Sequence, residues 1–232
     1  MADFVQLTCL PDGVYLLTFK GDGEHRLNPS SMAAIQSALD EVENDKSSRC
    51  LITTNEGKFY SNGLDFAFIR RDMMELLFDA LHRLLERFLH FPIPTMAAIN
   101  GHAVAAGCML ALAHDYRFMR SDKGYIFLNE VEIKLPFSPG MNALIRSKLP
   151  VHTYHKAVLS GQRYGGKEAE RSGFVDAALP DASSTQEEAI RQASALVMKN
   201  LDRATYKAMK EVMFKQEIKE LLFGGFGELS KL

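Results

Sequence analysis

Short apolar runs bounded by turn residues dominate the first half of the chain. Pro11-Asp12-Gly13 separates the first two runs, and glycine, proline or asparagine bounds several of the others. Runs of this length between turn signals are typical of β-strands. Five strands are therefore predicted, at Phe4–Leu10, Val14–Phe19, Cys50–Thr54, Thr95–Asn100 and Asp115–Met119.

Two segments between these strands have the periodicity of amphipathic helices. The first opens at Asn28-Pro29-Ser30-Ser31, where Ser30 or Ser31 is the predicted N-cap. Its apolar stripe consists of Met32, Ile35, Leu39 and Val42. The second segment, Asp72–His90, has a broader apolar face that consists of Leu76, Leu77, Ala80, Leu81, Leu84 and Leu85.

After residue 150 the pattern becomes helical. Because strand, turn and helix recur without a linker or a low-complexity segment, the sequence favours one α/β unit. In it, residues 151–232 form a C-terminal helical region on a core of residues 1–150. The apolar segment Ile218–Phe226 would be prone to aggregation if it were exposed. We therefore expect it to dock on this core or on a neighbouring subunit, and we favour an oligomer. The helices predicted here are Tyr154–Leu159, Gly166–Arg171, Thr185–Lys199 and Arg203–Glu217.

The composition restricts the classes of partner. Of the 232 residues, 47% are hydrophobic and 24% are charged, and the formal net charge is −2. No broad basic patch for nucleic acid or for an anionic membrane can be built from that balance. No apolar run approaches the roughly 18 residues of a membrane span, and no secretory signal is expected. Cys9, Cys50 and Cys108 are scattered without metal-ligand spacing, so we expect reduced thiols and no metal.

Two loops share the features of an oxyanion hole. One is Lys58–Phe66, after the Cys50 strand, and the other begins at Asn100-Gly101 and continues as the small-residue run Ala103–Gly107. In each, small residues lie between a strand and a helix, where backbone amides have no intrahelical partner and can hold negative charge. Either loop alone is weak evidence, because most such connections are only turns. Asp65 by itself is more typical of a helix cap than of a catalyst.

A third segment, Ile126–Pro136, places carboxylates among apolar residues. Desolvation there would raise the pKa of Glu130 towards about 6–7, which suits a general base at neutral pH. Glu132, two positions later, competes for that role. A solvated turn glutamate is the alternative for either position.

Together these segments resemble the crotonase superfamily, which contains the enoyl-CoA hydratases and isomerases. Ser61–Phe66 is similar to its first oxyanion-hole and CoA-binding motif, and Asn100–Phe118 is similar to the second. Leu128–Glu130 resembles the isomerase pattern around the catalytic glutamate, and His25–Pro29 resembles the segment that lies along the CoA. The resemblance implies that the core of residues 1–150 is a spiral of ββα units.

The resemblance also implies a role for each motif residue. Leu64 and Ala106 would supply the two oxyanion-hole amides, and Glu130, rather than Glu132, would be the catalytic group. An acyl-CoA would be the substrate, so coenzyme A arrives as part of it and no metal or other cofactor is expected. The implied substrate-binding and CoA-binding positions are His25, Arg26, Ser61, Asn62, Gly63, Asp65, Phe66 and Gly107. Candidates for an acyl tunnel are Phe66, Phe68, Ile133 and Phe137.

One position departs from the hydratase pattern. Hydratases of this family carry a second glutamate two residues after the glycine of the second motif, where this chain has Met109. A single carboxylate can move a proton between two carbons, whereas the addition of water uses two. We therefore expect isomerisation of cis- or trans-3-enoyl-CoA to trans-2-enoyl-CoA in fatty-acid β-oxidation. The alternatives are a hydratase that recruits another acid such as Glu132, a dienoyl-CoA isomerase, and a non-catalytic acyl-CoA-binding protein.

The last three residues, Ser230-Lys231-Leu232, match a peroxisomal address that an import receptor reads. We therefore expect the protein in the peroxisome, a location that fits β-oxidation chemistry. The family resemblance implies a homotrimer. The expected partners are thus an acyl-CoA substrate, the import receptor and further copies of the chain.

Overall fold

Nine strands form two sheets in the described part of the chain, which is residues 4–21, 23–68 and 73–224 of a computed structural model. In chain order the strands are β1 (Val5–Cys9), β2 (Val14–Phe19), β3 (Cys50–Asn55), β4 (Phe59–Ser61), β5 (Thr95–Ile99), β6 (His102–Val104), β7 (Tyr116–Arg120), β8 (Ile126–Phe127) and β9 (Ala177–Leu179). The larger sheet has the order β1-β2-β3-β5-β7-β9, and the smaller sheet has the order β4-β6-β8. Only β1 and β2 pair antiparallel.

The five strands predicted from the sequence all lie in the larger sheet. Strand β2 has the predicted bounds, the bounds of β3 and β5 differ from the prediction by one residue at one end, and those of β1 and β7 differ by one residue at both ends. The smaller sheet and β9 were not predicted, because strands of two or three residues are too short to show alternation.

Ten helices accompany the sheets within the described residues. They are α1 (Pro29–Asn44), α2 (Met74–Leu89), α3 (Ala106–Ala113), α4 (Glu130–Ile133), α5 (Pro139–Lys148), α6 (Val151–Ser160), α7 (Gly166–Arg171), α8 (Ala182–Val197), α9 (Arg203–Met213) and α10 (Lys215–Phe223). None of them is both long and apolar enough to cross a bilayer. Every helix predicted from the sequence has a counterpart, although α4 and α5 were not predicted and the predicted start of α2 at Asp72 falls outside the described residues.

The start of α1 corrects the predicted N-cap. The cap is Asn28, whose side chain accepts a hydrogen bond from the Ser31 amide at 2.9 Å. The Ser31 hydroxyl in turn accepts from the Asn28 amide at 2.8 Å, so Ser31 completes a capping box from the third helical position. Neither Ser30 nor Ser31 caps, because Pro29 already occupies the first turn of the helix, where its missing N–H costs nothing.

The predicted helix Arg203–Glu217 is two helices. They meet at Phe214, whose φ of −108° and ψ of 23° interrupt the helix. The Phe214 ring is buried beneath the ammonium group of Lys148, 4.2 Å from the ring centroid, so tertiary packing outweighs the helical periodicity of the segment. The predicted apolar face of α2 is also narrower than expected, because Leu76 is 61% exposed.

The larger sheet is covered on both sides. One face packs against α1, α2 and α3 in the main core, and α8 covers the other face through Ala189 and Ala193. Burial on both faces is the usual state of parallel strands, and it explains why β3 and β5 are apolar or buried at every position.

The C-terminal helices are tied to this core. The Lys210 ammonium of α9 lies 2.7 Å from the carboxylate of Asp115, the residue before β7, whose side chain is 11% exposed. Helix α10 packs against α2 and α5, and a Cβ atom on Gly140 of α5 would lie 2.7 Å from the Cα atom of Leu221. Of the predicted docking segment, Leu221 is buried and Phe223 is exposed, whereas Phe226 lies outside the described residues.

Candidate active site

The carboxyl ends of the three short strands open into one cavity of about 180 Å³. Because β4, β6 and β8 are parallel, the segments that follow them meet at the same edge of the sheet, where ligands usually bind in α/β folds. The loop after β4 contributes Asn62 and Leu64, the connection from β6 to α3 contributes Ala106, and α4 contributes Glu130. The three segments singled out from the sequence therefore meet in space.

The amide of Leu64 is available to a ligand. Leu64 pairs with Leu27 in a single parallel bridge, in which the Leu27 amide donates to the Gly63 carbonyl at 2.8 Å and the Asp65 amide donates to the Leu27 carbonyl at 2.9 Å. This pattern uses the groups on either side of Leu64 and directs its own N–H away from Leu27. Among the described residues, no acceptor receives that N–H.

The amide of Ala106 is available for a different reason, since Ala106 is the first residue of α3 and has no intrahelical acceptor. The preceding Ala105 has φ 52° and ψ −119°, a conformation that L-residues rarely adopt. Two hydrogen bonds hold it there: its amide donates to the Phe127 carbonyl at 3.0 Å, and its carbonyl accepts from the Met109 amide at 3.0 Å. Strain of this kind costs about 1–3 kcal/mol and concentrates at functional sites.

Two glycines bring these amides together. A Cβ atom on Gly63 would lie 3.0 Å from the Val104 carbonyl and 3.4 Å from the Ala106 amide nitrogen. A Cβ atom on Gly107 would overlap the Ser61 carbonyl and would lie 2.7 Å from the Ser61 Cβ atom. Any larger residue at either position would push the two loops, and their free amides, apart.

Glu130 is the acidic group of the cavity. Its side chain is 5% exposed, and its Oε2 has no hydrogen-bond partner among the described residues. Burial raises the pKa of Glu130 to about 7, as expected from the apolar residues around it in the sequence. Met109, which is 1% exposed, and Leu135 line the same cavity. A carboxyl that titrates near neutrality can both accept and return a proton.

The comparisons with known proteins agree with this geometry. Residues 11–222 match the family model for enoyl-CoA hydratase/isomerase. The chain belongs to this family. It is 35% identical over 222 residues to a protein of Arabidopsis thaliana named enoyl-CoA delta isomerase 1, peroxisomal, an alignment that covers 94% of this chain and 91% of that protein.

Solved structures of related enoyl-CoA enzymes have the same fold. The apo structure of an enoyl-CoA isomerase of Mycobacterium tuberculosis superposes with a TM-score of 0.90 at 22% identity, and the superposition covers 100% of each chain. Human mitochondrial delta3-delta2-enoyl-CoA isomerase superposes with a TM-score of 0.85 at 24% identity, over 94% of this chain and 86% of that one. These likenesses confirm the predicted crotonase-type α/β fold.

Several of the family's motif positions line the cavity directly. Arg26, Asn62 and Phe66 join Leu64, Ala106 and Glu130 in its wall. The Arg26 side chain donates to Glu24 at 2.5 Å and to the Leu64 carbonyl at 3.2 Å, so it holds the peptide unit that follows the one with the free amide. Phe66 is 52% exposed and lies at the open side.

Other motif positions support the wall from behind. His25 is 1% exposed and donates from Nδ1 to the Phe59 carbonyl at 2.7 Å, while the Ser61 hydroxyl donates to the His25 carbonyl at 2.7 Å. The Asp65 carboxylate accepts from the Asn28 side chain at 3.3 Å and from the Ala67 amide at 3.1 Å, as a capping residue does. The motif positions that do not belong to the described lining of the cavity are His25, Ser61, Asp65, Gly63 and Gly107.

Glu132 points away from the site. It is exposed, and its carboxylate pairs with Arg163 at 3.5 Å on the far side of α4. A helical turn explains the difference, because residues two positions apart lie on opposite sides of a helix. The structure thus separates the two glutamates that the apolar pattern of the segment, taken by itself, left in competition.

Part of the lining was missed by sequence reasoning. Phe78 of α2 and Met141 of α5 come from helices remote in sequence, and only their apolar character could have suggested them. Val104, Ala105, Asn129, Leu135 and Pro136 are also in the wall, next to predicted residues. Of the acyl-tunnel candidates, Phe66 and Ile133 line the cavity and Phe137 does not, while the side chain of Phe68 lies outside the description.

Proposed function

We propose that this protein is a Δ3,Δ2-enoyl-CoA isomerase, which converts cis- or trans-3-enoyl-CoA to trans-2-enoyl-CoA. One observation carries the proposal: Glu130 is buried, its Oε2 has no hydrogen-bond partner among the described residues, its pKa is raised to about 7, and it shares a cavity with two free backbone amides. Among the described residues of that cavity, Glu130 is the single carboxylate. The name of the Arabidopsis relative supports the same reaction.

The reaction needs one base that also serves as the acid. The thioester oxygen would accept hydrogen bonds from the Leu64 and Ala106 amides. The Glu130 carboxylate would remove a proton from carbon 2, and the electron pair would spread over the dienolate towards the thioester oxygen. The resulting Glu130 carboxylic acid would return that proton to carbon 4, so that the double bond moves from carbons 3 and 4 to carbons 2 and 3.

Each part of the site stabilises a specific stage of this reaction. Two amides fixed before the reaction stabilise the dienolate charge, and one such donor is worth about 10²–10³ in rate. The thioester acidifies carbon 2, so the chemistry requires no metal or redox cofactor. A pKa near 7 keeps the proton affinity of Glu130 balanced between removal and return of the proton.

Hydration is the second candidate, and the geometry disfavours it. Addition of water in this family uses a second acid at the position of Met109, which is buried in the cavity wall. Glu132 cannot replace that acid in the described conformation, because its carboxylate pairs with Arg163 outside the cavity. A dienoyl-CoA isomerase would also require further acidic groups in the cavity.

A paired assay separates these functions. Isomerisation of 3-hexenoyl-CoA should exceed hydration of trans-2-hexenoyl-CoA by orders of magnitude, and dominant hydration would overturn the proposal. Glu130→Gln should lose about 10²–10⁴ in kcat while it still binds acyl-CoA. Glu132→Gln is the matched control and should retain wild-type turnover. Wild-type turnover in Glu130→Gln would instead favour a different base, and no turnover in the wild type would favour a non-catalytic acyl-CoA-binding protein.

The proposed reaction has a cellular setting. We propose import into the peroxisome through Ser230-Lys231-Leu232, which lie outside the described residues, and a role in the β-oxidation of unsaturated fatty acids. The peroxisomal name of the Arabidopsis relative supports this location. Deletion of the tripeptide should leave activity intact and move the protein to the cytosol.

We also propose a homotrimer, for which sedimentation analysis should give three times the mass of the chain.

A further inference from the structure

A separate polar groove lies at the amino ends of the strands of the smaller sheet. Its volume is about 610 Å³, a size typical of small-ligand sites, and it shares no described lining residue with the cavity of Glu130. The groove is formed where the chain passes from β3 to β4, from β5 to β6 and from β7 to β8. Because β3, β5 and β7 are parallel, these connections follow their carboxyl ends, where ligands usually bind in α/β folds.

The side chains of the polar groove carry an excess of positive charge. Lys58, Arg120 and Lys123 line it, and Asp122 is the single carboxylate among its described lining residues. Both oxygens of Asp122 accept hydrogen bonds from Arg120, each at 2.6 Å, so this acid already has its cation. Lys58 and Lys123 form no ion pair with a described residue. Two ammonium groups without a counter-charge favour an anionic ligand.

His102 adds a neutral hydrogen-bond donor to the polar groove. Its Nδ1 accepts from the Tyr125 amide at 3.2 Å, so the proton of the neutral ring is on Nε2. Burial and the charge of Lys58 lower the pKa of His102, which keeps the ring neutral at pH 7. The Nε2–H group has no acceptor among the residues that the structure describes. Together with the two ammonium groups it suits an anion with several oxygens, such as a phosphoryl group.

Tyr125 gives the polar groove a flat aromatic surface. Its ring is 47% exposed and is stacked on His102, with ring centroids 5.7 Å apart and planes 28° apart. Phe59 contacts the same imidazole with a centroid distance of 5.1 Å, so the stack has a buried support. Aromatic rings beside cationic groups bind nucleotides by stacking on the base, and a bare phosphate would leave the Tyr125 ring unused.

Asn100 supplies an unused acceptor in the lining of the polar groove. It is 7% exposed, and its Nδ2 donates to the Thr54 hydroxyl at 3.0 Å. That hydroxyl donates its own proton to the Ala98 carbonyl at 3.1 Å and must therefore accept from Asn100, which fixes the orientation of the amide. The remaining atom, Oδ1, is buried and has no partner among the described residues. A hydroxyl or amino group of a ligand would satisfy it.

We propose that the polar groove binds a nucleoside phosphate. Lys58, Lys123 and His102 donate to the phosphoryl oxygens, Tyr125 stacks on the base, and Asn100 accepts from a ribose hydroxyl or a base amino group. The site does not depend on the proposed isomerase function, because no lining residue of the cavity of Glu130 takes part.

Calorimetry with ADP, pyrophosphate and adenosine tests the chemistry of the ligand. We expect one ADP per chain, bound at least fivefold more tightly than pyrophosphate because the base adds stacking to the phosphate contacts. Adenosine, which lacks the phosphates, should bind at least tenfold more weakly than ADP. Equal affinities for ADP and either of the other two ligands, or no binding at millimolar ADP, would overturn the proposal.

Lysine variants test the location of the site. The double variant Lys58→Gln/Lys123→Gln removes both unpaired cations, and its affinity for ADP should fall at least tenfold. Lys46→Gln/Lys156→Gln is the matched control, because these lysines are exposed and lie outside the groove lining; its affinity should be unchanged. Unchanged affinity in the groove variant would place ADP elsewhere and contradict the proposal.

A tyrosine variant tests the contribution of the base. Tyr125→Ala should lower the affinity for ADP to that for pyrophosphate and leave pyrophosphate binding unchanged. Tyr116→Ala is the control, because Tyr116 is 36% exposed on β7 and lies outside the groove lining. An equal loss of both ligands in Tyr125→Ala would show that the ring only supports the fold, and it would reject the nucleoside part of the proposal.

Coenzyme A contains an ADP unit, so it is a second source of the same chemistry. Two coenzyme A sites per chain, one of which is lost in Lys58→Gln/Lys123→Gln, would support the groove as a site for either source. One coenzyme A site that the double variant retains, beside ADP binding that it loses, would support free nucleotides alone. Retention of both ADP and coenzyme A binding by the double variant would overturn the proposal.

Discussion

Gly63 touches the backbone of Ala106. A Cβ atom on Gly63 would lie 3.4 Å from the Ala106 amide nitrogen, and Gly63 itself has a φ of +77°. The two free amides belong to Leu64, which follows Gly63, and to Ala106. This contact, together with that between Gly107 and Ser61, therefore sets the spacing of the proposed oxyanion hole.

Gly63→Ala should lower kcat, whereas Gly57→Ala should not. The added methyl group would press on Val104 and Ala106 and displace one amide from the developing negative charge, so kcat should fall by about 10²-fold. Gly57→Ala is a suitable control, because Gly57 also has a positive φ of +75° but its Cβ atom would meet nothing within 4 Å. Gly57→Ala should lose about 1–2 kcal/mol of unfolding free energy because of its positive φ, and Gly63→Ala should lose more because its methyl group also meets Val104 and Ala106. A wild-type kcat in Gly63→Ala would remove this contact from the mechanism.

The rate of isomerisation should depend on pH through Glu130. Its carboxylate is the proposed base, and its pKa is raised to about 7 by burial. We expect kcat/KM to rise about tenfold per pH unit below pH 7 and to level off above it. A profile that is flat from pH 5.5 to pH 8, after correction for stability, would show that another group limits the reaction.

The same pKa predicts a stability difference between wild type and Glu130→Gln. In the unfolded chain Glu130 loses its proton near its ordinary pKa of 4.5, whereas in the folded protein it keeps the proton up to about 7. Between these values the folded state binds more protons, so wild-type stability falls as the pH rises. The interval between 4.5 and about 7 corresponds to at most about 3 kcal/mol.

Urea unfolding at two pH values measures this effect. At pH 4 the wild type and Glu130→Gln should unfold with similar free energies, since Glu130 is mostly neutral in both the folded and the unfolded state. At pH 8 Glu130→Gln should be more stable, because it avoids the buried charge. The other titrating groups are common to both proteins and cancel. An equal difference at both pH values would contradict the raised pKa.

The ion pair between Lys210 and Asp115 should be important for the attachment of α9. The side chains are only 6% and 11% exposed, and the Lys210 ammonium also donates to the Phe88 carbonyl at 3.1 Å. Lys210→Met leaves a buried carboxylate without its cation, which costs about 3–5 kcal/mol. Lys215→Met, at an exposed position, should have little effect by the same thermal or urea unfolding measurement. Equal stability of the two variants would mean that the pair contributes nothing.

Periodicity predicted the larger elements well, because long strands and helices repeat their apolar positions many times. It failed where contacts distant in sequence decide the backbone. Phe214 interrupts a helical pattern because its ring is buried beneath Lys148, and no local signal indicates that contact. The strands of the smaller sheet could not be predicted either, because they are stabilised by pairing with one another and have no repeated apolar pattern.

The candidate site was predictable in its parts more than in its arrangement. The apolar residues around Glu130 predicted the direction of its pKa shift, but only the single turn of α4 shows that Glu130 points inward and Glu132 outward. Conversely, His25 and Ser61 were expected to contact substrate, and the structure places their side chains in hydrogen bonds behind the wall. Motif membership therefore identified the region of the site to which these residues belong, and their contact with substrate stays a prediction.

The contact between Gly140 and Leu221 connects α10 to a helix that lines the cavity. Helix α5 carries Met141, which lines the cavity, directly beside the glycine on which the backbone of α10 rests. No residue of α10 reaches the described lining. A chain truncated before Lys215 would retain every described residue of the cavity lining. It would lose α10, which packs against the helix that carries Met141. Helix α10 therefore supports the wall of the cavity without lining it.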